Sequence, residues 1–212
     1  MKEQKIDIGL FQETRRPEGT DEVNGVHFFF HGKKKENRSG VAIALGPRAL
    51  QSRRLAGRPD PIRITSAEAG RIIALPLRIT QKKNKKSREL NYLFISVHFP
   101  HTGYNNKEFD NTCNELSKLL DSQPDDVIPI IGADLNANIG TRNQHDEDIG
   151  STLGPHGIPY VNDRGRLALS FLRRQGLCSV SSFSNKRISL LTTTFTMGVK
   201  HKAGTYGRLT LC

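Results

Sequence analysis

Several things are scarce in this 212-residue chain, and each scarcity excludes something. No stretch approaches the roughly 18 consecutive apolar residues of a membrane helix, so insertion into a membrane is not expected. Met1-Lys2-Glu3-Gln4-Lys5 is charged and leads into only six mostly apolar residues, which does not read as a signal peptide. Cysteine is limited to Cys113, Cys178 and Cys212, an odd number without C-x-x-C spacing. These read as reduced, intracellular thiols and not as a disulfide framework. The only close pair of histidines, in His98-Phe99-Pro100-His101, has no cysteine nearby, which argues against a zinc site. Acidic charge is short as well: 21 Asp+Glu face 32 Lys+Arg, a net charge of +11. Such an excess favours a polyanionic partner, nucleic acid first and an anionic membrane surface second, with a merely soluble basic protein as the plain alternative. No obligate protein partner is evident.

What is present centres on Val127 to Asn138, Val-Ile-Pro-Ile-Ile-Gly-Ala-Asp-Leu-Asn-Ala-Asn. The run is apolar, of strand length, and ends abruptly in Gly132, Asp134 and Asn136. A buried strand delivering a carboxylate and an amide at its carboxyl end can build a hydrolytic site. The same residues also favour an ordinary turn.

In chain order, Ile6 to Phe11 predicts a strand that stops at Gln12-Glu13-Thr14-Arg15, so a second carboxylate stands at a strand end. Val26 to His31 and Val41 to Leu45 predict two more strands, joined by a basic turn, 32–40. Residues 46–61, rich in proline and arginine, predict an irregular connection. Arg71–Ile79 and Leu90–Val97 predict a hairpin around the hydrophilic loop 81–88, whose like charges repel; its lysines read either as a phosphate grip or as a solvated tip. After Val97, Pro100 stops the strand. Asn105 with Glu108 resembles a capping box, and Phe109, Cys113, Leu116 and Leu120 share one helical face, making Cys113 a core thiol. Residues 138–162 predict a long surface loop. Asn162 caps a helix from Asp163 to Gln175, with Leu167, Phe171 and Leu172 inward and Gly176 at its C′ position. Short strands are expected at Leu177–Val180, Thr193–Thr196 and Arg208–Leu211. Many strands with few helices between them predict an α/β sandwich of mixed or antiparallel sheets with helices outside, in a single domain over 1–212.

Gln12-Glu13-Thr14, Val97-His98-Phe99-Pro100 and Gly132-Ala133-Asp134-Leu135-Asn136 together, in this order and spacing, resemble the endonuclease/exonuclease/phosphatase superfamily. Asn162 to Leu167, through Phe171 and Leu177 to Phe195, is most similar to the LINE-type retrotransposon branch. The resemblance implies a DNase I-like two-sheet fold and Mg²⁺-dependent phosphodiester hydrolysis, with Mn²⁺ as the other candidate ion. It implies DNA nicking, in the nucleus. Glu13 would bind the metal. Asp134 would orient or deprotonate the attacking water. Asn136 would bond the scissile phosphate or hold that Asp, and His98 would donate to phosphate. Arg38, His101 and Asn162 are the candidate substrate contacts. Hard oxygen ligands suit Mg²⁺, and a Lewis acid neutralises charge developing on phosphoryl oxygens.

The chain departs from the family pattern at three places. His98 stands where a Tyr is usual, and His101 often replaces an Asn. The middle motif reads Gly-Ala-Asp instead of Gly-Asp, although Asp134 and Asn136 keep their relative spacing. The family's first strand with its Asn, and its closing segment with an Asp and a Ser-Asp-His motif, have no counterpart. The expectation is therefore a domain incomplete at both termini, with pairing edges left open and activity weak or lost, since losing an acid/base group costs about 10²- to 10⁴-fold. A phosphoinositide-type phosphatase and a non-catalytic nucleic-acid-binding fragment are the alternatives.

Overall fold

In the computed structural model the described residues are 6–33, 39–66, 69–83, 86–144, 150–183 and 195–199. Among them two sheets stack. The first has strands β1 (Ile8–Gln12), β2 (Gly19–Val23), β3 (Val26–His31) and β4 (Val41–Leu45) in the order β1-β4-β3-β2, all antiparallel. The second has β5 (Ile62–Ser66), β6 (Ala69–Lys83), β7 (Lys86–His98), β8 (Val127–Asp134), β9 (Leu177–Ser179) and β10 (Phe195–Val199) in the order β5-β6-β7-β8-β10-β9. Only the β7–β8 pair is parallel among these, and it needs a crossover. That crossover is the helix α2 (Asn106–Asp121). The other α-helices among the described residues are α1 (Pro47–Leu55) and α3 (Asp163–Arg174).

Period-two alternation along the central strands assigns each side chain to one of two cores. Leu93, Ile95, Val97, Ile131 and Ala133 point away from the first sheet and pack with Phe109, Cys113 and Leu116 of α2 and Phe171 and Leu172 of α3. Tyr92, Phe94 and Ile130 face the other way and pack with Val41, Ile43 and Leu45 of β4. By the same parity Ser96 and His98 of β7, and Gly132 and Asp134 of β8, belong to the inter-sheet side. Gly132 is needed there: a Cβ on it would lie 2.7 Å from Cβ of Leu10. The glycine lets β1 settle onto β8.

Both amphipathic helices start as the sequence predicts. Asn105 Oδ1 accepts from the Glu108 N–H at 2.9 Å, and Asn162 Oδ1 accepts from the Gly165 N–H at 2.7 Å. Gly176 takes a φ of +63° after α3, the left-handed conformation of a C′ glycine. Cys113 is buried and its thiol is pushed up to about 12 by that burial, which keeps it inert as a core residue.

Four expectations need correction. Residues 47–55 form α1, not irregular chain: Pro47 sits where a missing N–H costs nothing, and Arg53 and Arg54 complement the dipole at its end. Strands β2 and β5 were not anticipated; both lie at sheet edges and carry polar residues that hide their pairing. The hydrophilic segment 81–88 is largely hairpin, with pairing continuing to Lys83↔Lys86. The 138–162 segment is not a plain surface loop, since Ile139, Thr141, Thr152 and Leu153 are all buried. The expected strand at Arg208–Leu211 lies outside the described residues, as does Arg38. No helix among the described residues is long and apolar enough to cross a membrane.

Candidate active site

Three strand ends meet at one edge of the sandwich. The parallel β7–β8 register pairs His98 with Asp134, and the Phe99 N–H donates to the Asp134 carbonyl at 2.9 Å, extending the ladder one step past the strand end. The end of β1 is pinned above them. Gln12 Nε2 donates to Ser96 Oγ at 2.9 Å and to the Gly132 carbonyl at 3.1 Å. Ser96 Oγ in turn donates to the Phe11 carbonyl at 2.8 Å. These three bonds stitch one sheet to the other immediately behind the site, so Glu13 leaves β1 from a fixed point.

Glu13, His98 and Asp134 each bring one ligand-capable atom within 4.8 Å of the others. His98 Nε2 lies 3.8 Å from Glu13 Oε1 and 4.0 Å from Asp134 Oδ2. Exposure falls steeply across the group: the side chains are 55% exposed for Glu13, 25% for Asp134 and 4% for His98. The group therefore has an open, acidic front and a buried imidazole at the back. Glu13 and Asn136 both adopt left-handed backbone, with φ of +52° and +48°. Such a value costs Glu13 about 1–2 kcal/mol, whereas an Asn tolerates it.

Asp134 is oriented locally, since the Asn136 backbone N–H donates to its Oδ1 at 3.1 Å. The Asn136 side chain donates through Nδ2 to the Phe99 carbonyl at 2.8 Å, tying the β8 end to the β7 end. The bond to Asp134 thus comes from the Asn136 backbone, and its side-chain amide is spent on Phe99. Burial lowers the His98 pKa below its ordinary value, and the Arg71 guanidinium lowers it further; the Asp134 and Glu13 carboxylates oppose this, and His101 adds a small lowering. The imidazole is thereby favoured in its neutral form, with a lone pair on one nitrogen.

Two arginines that sequence reasoning passed over hold the segment after His98. Arg71 is buried and donates to the His98 carbonyl at 3.2 Å, with its guanidinium 5.1 Å from the Tyr104 ring centre. Arg164, also buried, donates to the carbonyls of Pro100, His101 and Tyr104. In sequence each looks like one more surface cation; only the backbone carbonyls gathered from residues 98–104 reveal a structural role. His101 itself is exposed. Its Nδ1 accepts from the Gly103 N–H at 3.0 Å, and its ring meets Tyr104 edge-on. Asn162 uses its Oδ1 twice, for the α3 cap and for the Asn138 N–H at 3.2 Å.

The donor set fits a divalent ion. Two donors on one ion lie at most two bond lengths apart, about 4.2 Å for Mg²⁺ and more for larger ions. His98 Nε2 meets that limit with both carboxylates, and the exposed Glu13 side chain has room to adjust.

No protein-family model matches the chain, and no curated protein matches it. Among solved structures, it is similar to the human Nocturnin catalytic domain with bound sulfate anion, at a TM-score of 0.53 and 14% identity, over 93% of this chain and 70% of that one. An endonuclease/exonuclease/phosphatase family protein from Bacteroides thetaiotaomicron gives a TM-score of 0.38 at 11% identity, over 84% of this chain and 60% of that one. The Nocturnin likeness and the two stacked sheets identify the fold as the DNase I-like α/β sandwich that the sequence predicts.

Proposed function

We propose that this chain is the hydrolytic domain of a divalent-metal-dependent phosphodiesterase that nicks DNA, of the retrotransposon endonuclease kind. The observation that carries the reading is the convergence of Glu13, His98 and Asp134, from three separate strand ends, into one group within 4.8 Å. The net charge of +11 supports a polyanionic substrate. A DNA substrate would place the work in the nucleus.

Glu13 would hold the ion, and a bound divalent ion supplies Lewis-acid neutralisation of charge on the phosphoryl oxygens. Asp134 accepts the proton of the attacking water as the new P–O bond forms and the bond to the leaving oxygen breaks; that oxygen takes its proton from solvent. The Asn136 N–H on Oδ1 fixes which face of the carboxylate meets the water. Arg71 and Arg164 keep the 98–104 segment against the β8 end, so the distance between His98 and Asp134 is set before substrate arrives.

Purified chain incubated with supercoiled plasmid and Mg²⁺ or Mn²⁺ should produce nicked circles at a low rate, in keeping with the weak activity that the sequence leads one to expect. Asp134→Asn should lower that rate by a further ~10²-fold or more. Equal nicking by the wild-type chain and the variant would sink the reading. Phosphatase action is the second reading, supported by His98 standing where the nuclease branch usually has a Tyr. Inorganic phosphate released from an inositol polyphosphate without plasmid cleavage would favour it.

A further inference from the structure

We infer that His98 is itself a metal ligand, through Nε2, and that this nitrogen makes the site favour a first-row transition ion such as Mn²⁺ over Mg²⁺. The inference rests on the hydrolytic reading above and names the ion class that reading requires.

Three observations carry it. First, His98 is only 3% exposed, yet neither ring nitrogen has a hydrogen-bond partner. A buried imidazole with both nitrogens idle is costly to keep and calls for an explanation. Second, Nε2 points at two carboxylate oxygens from 3.8 and 4.0 Å. Those separations are too long for hydrogen bonds and within the span of two donors sharing one ion. Third, the backbone that carries the ring is fixed. The His98 backbone sits in the β7–β8 register opposite Asp134, and Arg71 donates to its carbonyl. Mg²⁺ favours all-oxygen sites, whereas imidazole suits first-row transition ions, Mn²⁺ the least of them but still more than Mg²⁺. Replacing one oxygen by Nε2 therefore shifts preference without changing the number of protein donors.

A His98 that served only as a donor to substrate phosphate would have no effect on metal binding in the absence of substrate, and this separates the two roles. Isothermal titration of the metal-stripped chain with MnCl₂ or MgCl₂ alone should show that His98→Gln weakens Mn²⁺ binding by about 10- to 100-fold, while Mg²⁺ binding changes much less. The same ratio of affinities in wild type and variant would overturn the inference. Should His98→Gln fail to fold, pulsed electron paramagnetic resonance of Mn²⁺ on the wild-type chain decides instead. Modulation from a directly bound imidazole nitrogen is expected, and its absence overturns the inference even if plasmid is nicked. Nitrogen coupling without any nicking would instead defeat the nuclease reading and leave His98 as a ligand.

Discussion

Gln12 and Ser96 belong to different sheets, and a 2.9 Å hydrogen bond from Gln12 Nε2 to Ser96 Oγ joins them one residue before Glu13. The same amide reaches the Gly132 carbonyl, so one side chain links β1 to both strands that carry the other site residues. Gln12→Ala should cost about 1–3 kcal/mol of stability, because partly buried acceptors lose their donor. It should also lower hydrolysis, since Glu13 would leave a strand no longer fixed to its neighbours. Urea unfolding and a rate assay on the same preparation check both effects. Wild-type stability in the variant would show that the two Gln12 bonds add nothing to the joining of the sheets.

Arg164 gathers three backbone carbonyls from one short segment, at Pro100, His101 and Tyr104. Arg164→Met keeps much of the apolar stem but removes every donor, together with the guanidinium that lies 5.6 Å from the Phe109 ring centre. The three carbonyls are then left without it, and a loss of about 3 kcal/mol or more is expected. Thermal unfolding reads the loss. Arg164→Lys should recover only part of it, because one ammonium cannot reproduce the planar fork that meets three separated oxygens.

Acid should weaken the fold through His98. Its native pKa lies below the ordinary 6.5, chiefly because burial disfavours the charged ring. Between the lowered native value and 6.5 the unfolded chain binds more protons than the folded one. Stability therefore rises with pH across that window and is fully present above it. Melts with chelator present, from pH 7.5 down to pH 5, should show a decline that His98→Gln makes shallower. A decline unchanged by the substitution would place its origin in other groups.

Much of this site was legible in the sequence because its parts are local. Glu13, His98 and Asp134 each end a recognisable apolar run, and strand ends at one sheet edge are where polar side chains can gather. The caps at Asn105 and Asn162 were legible for the same reason: cap and helix lie within a few residues of each other. What escaped notice depends on contacts distant in sequence. Gln12 meets Ser96 across 84 positions, and Arg164 meets Pro100 across 64. Nothing in the chain near Arg71 or Arg164 distinguishes a buried cation from a solvated one. The α1 helix was hidden by its composition, with Ala49 as its one buried residue among those described and no apolar stripe to read. The burial of Ile139 and Leu153 in an otherwise polar, glycine-rich stretch follows from their packing in the core shared with α2 and α3.

The central claim is that Glu13, His98 and Asp134 form a metal-dependent phosphoester-cleaving centre, whatever the natural substrate. Hydrolysis of bis(p-nitrophenyl) phosphate tests it most directly, with metal-stripped chain, with Mn²⁺ or Mg²⁺ restored, and with Asp134→Asn under the same conditions. The account predicts release of nitrophenolate only when metal is restored, reduced by about 10²-fold or more in Asp134→Asn. Turnover that survives chelation, or that the variant retains in full, would contradict it.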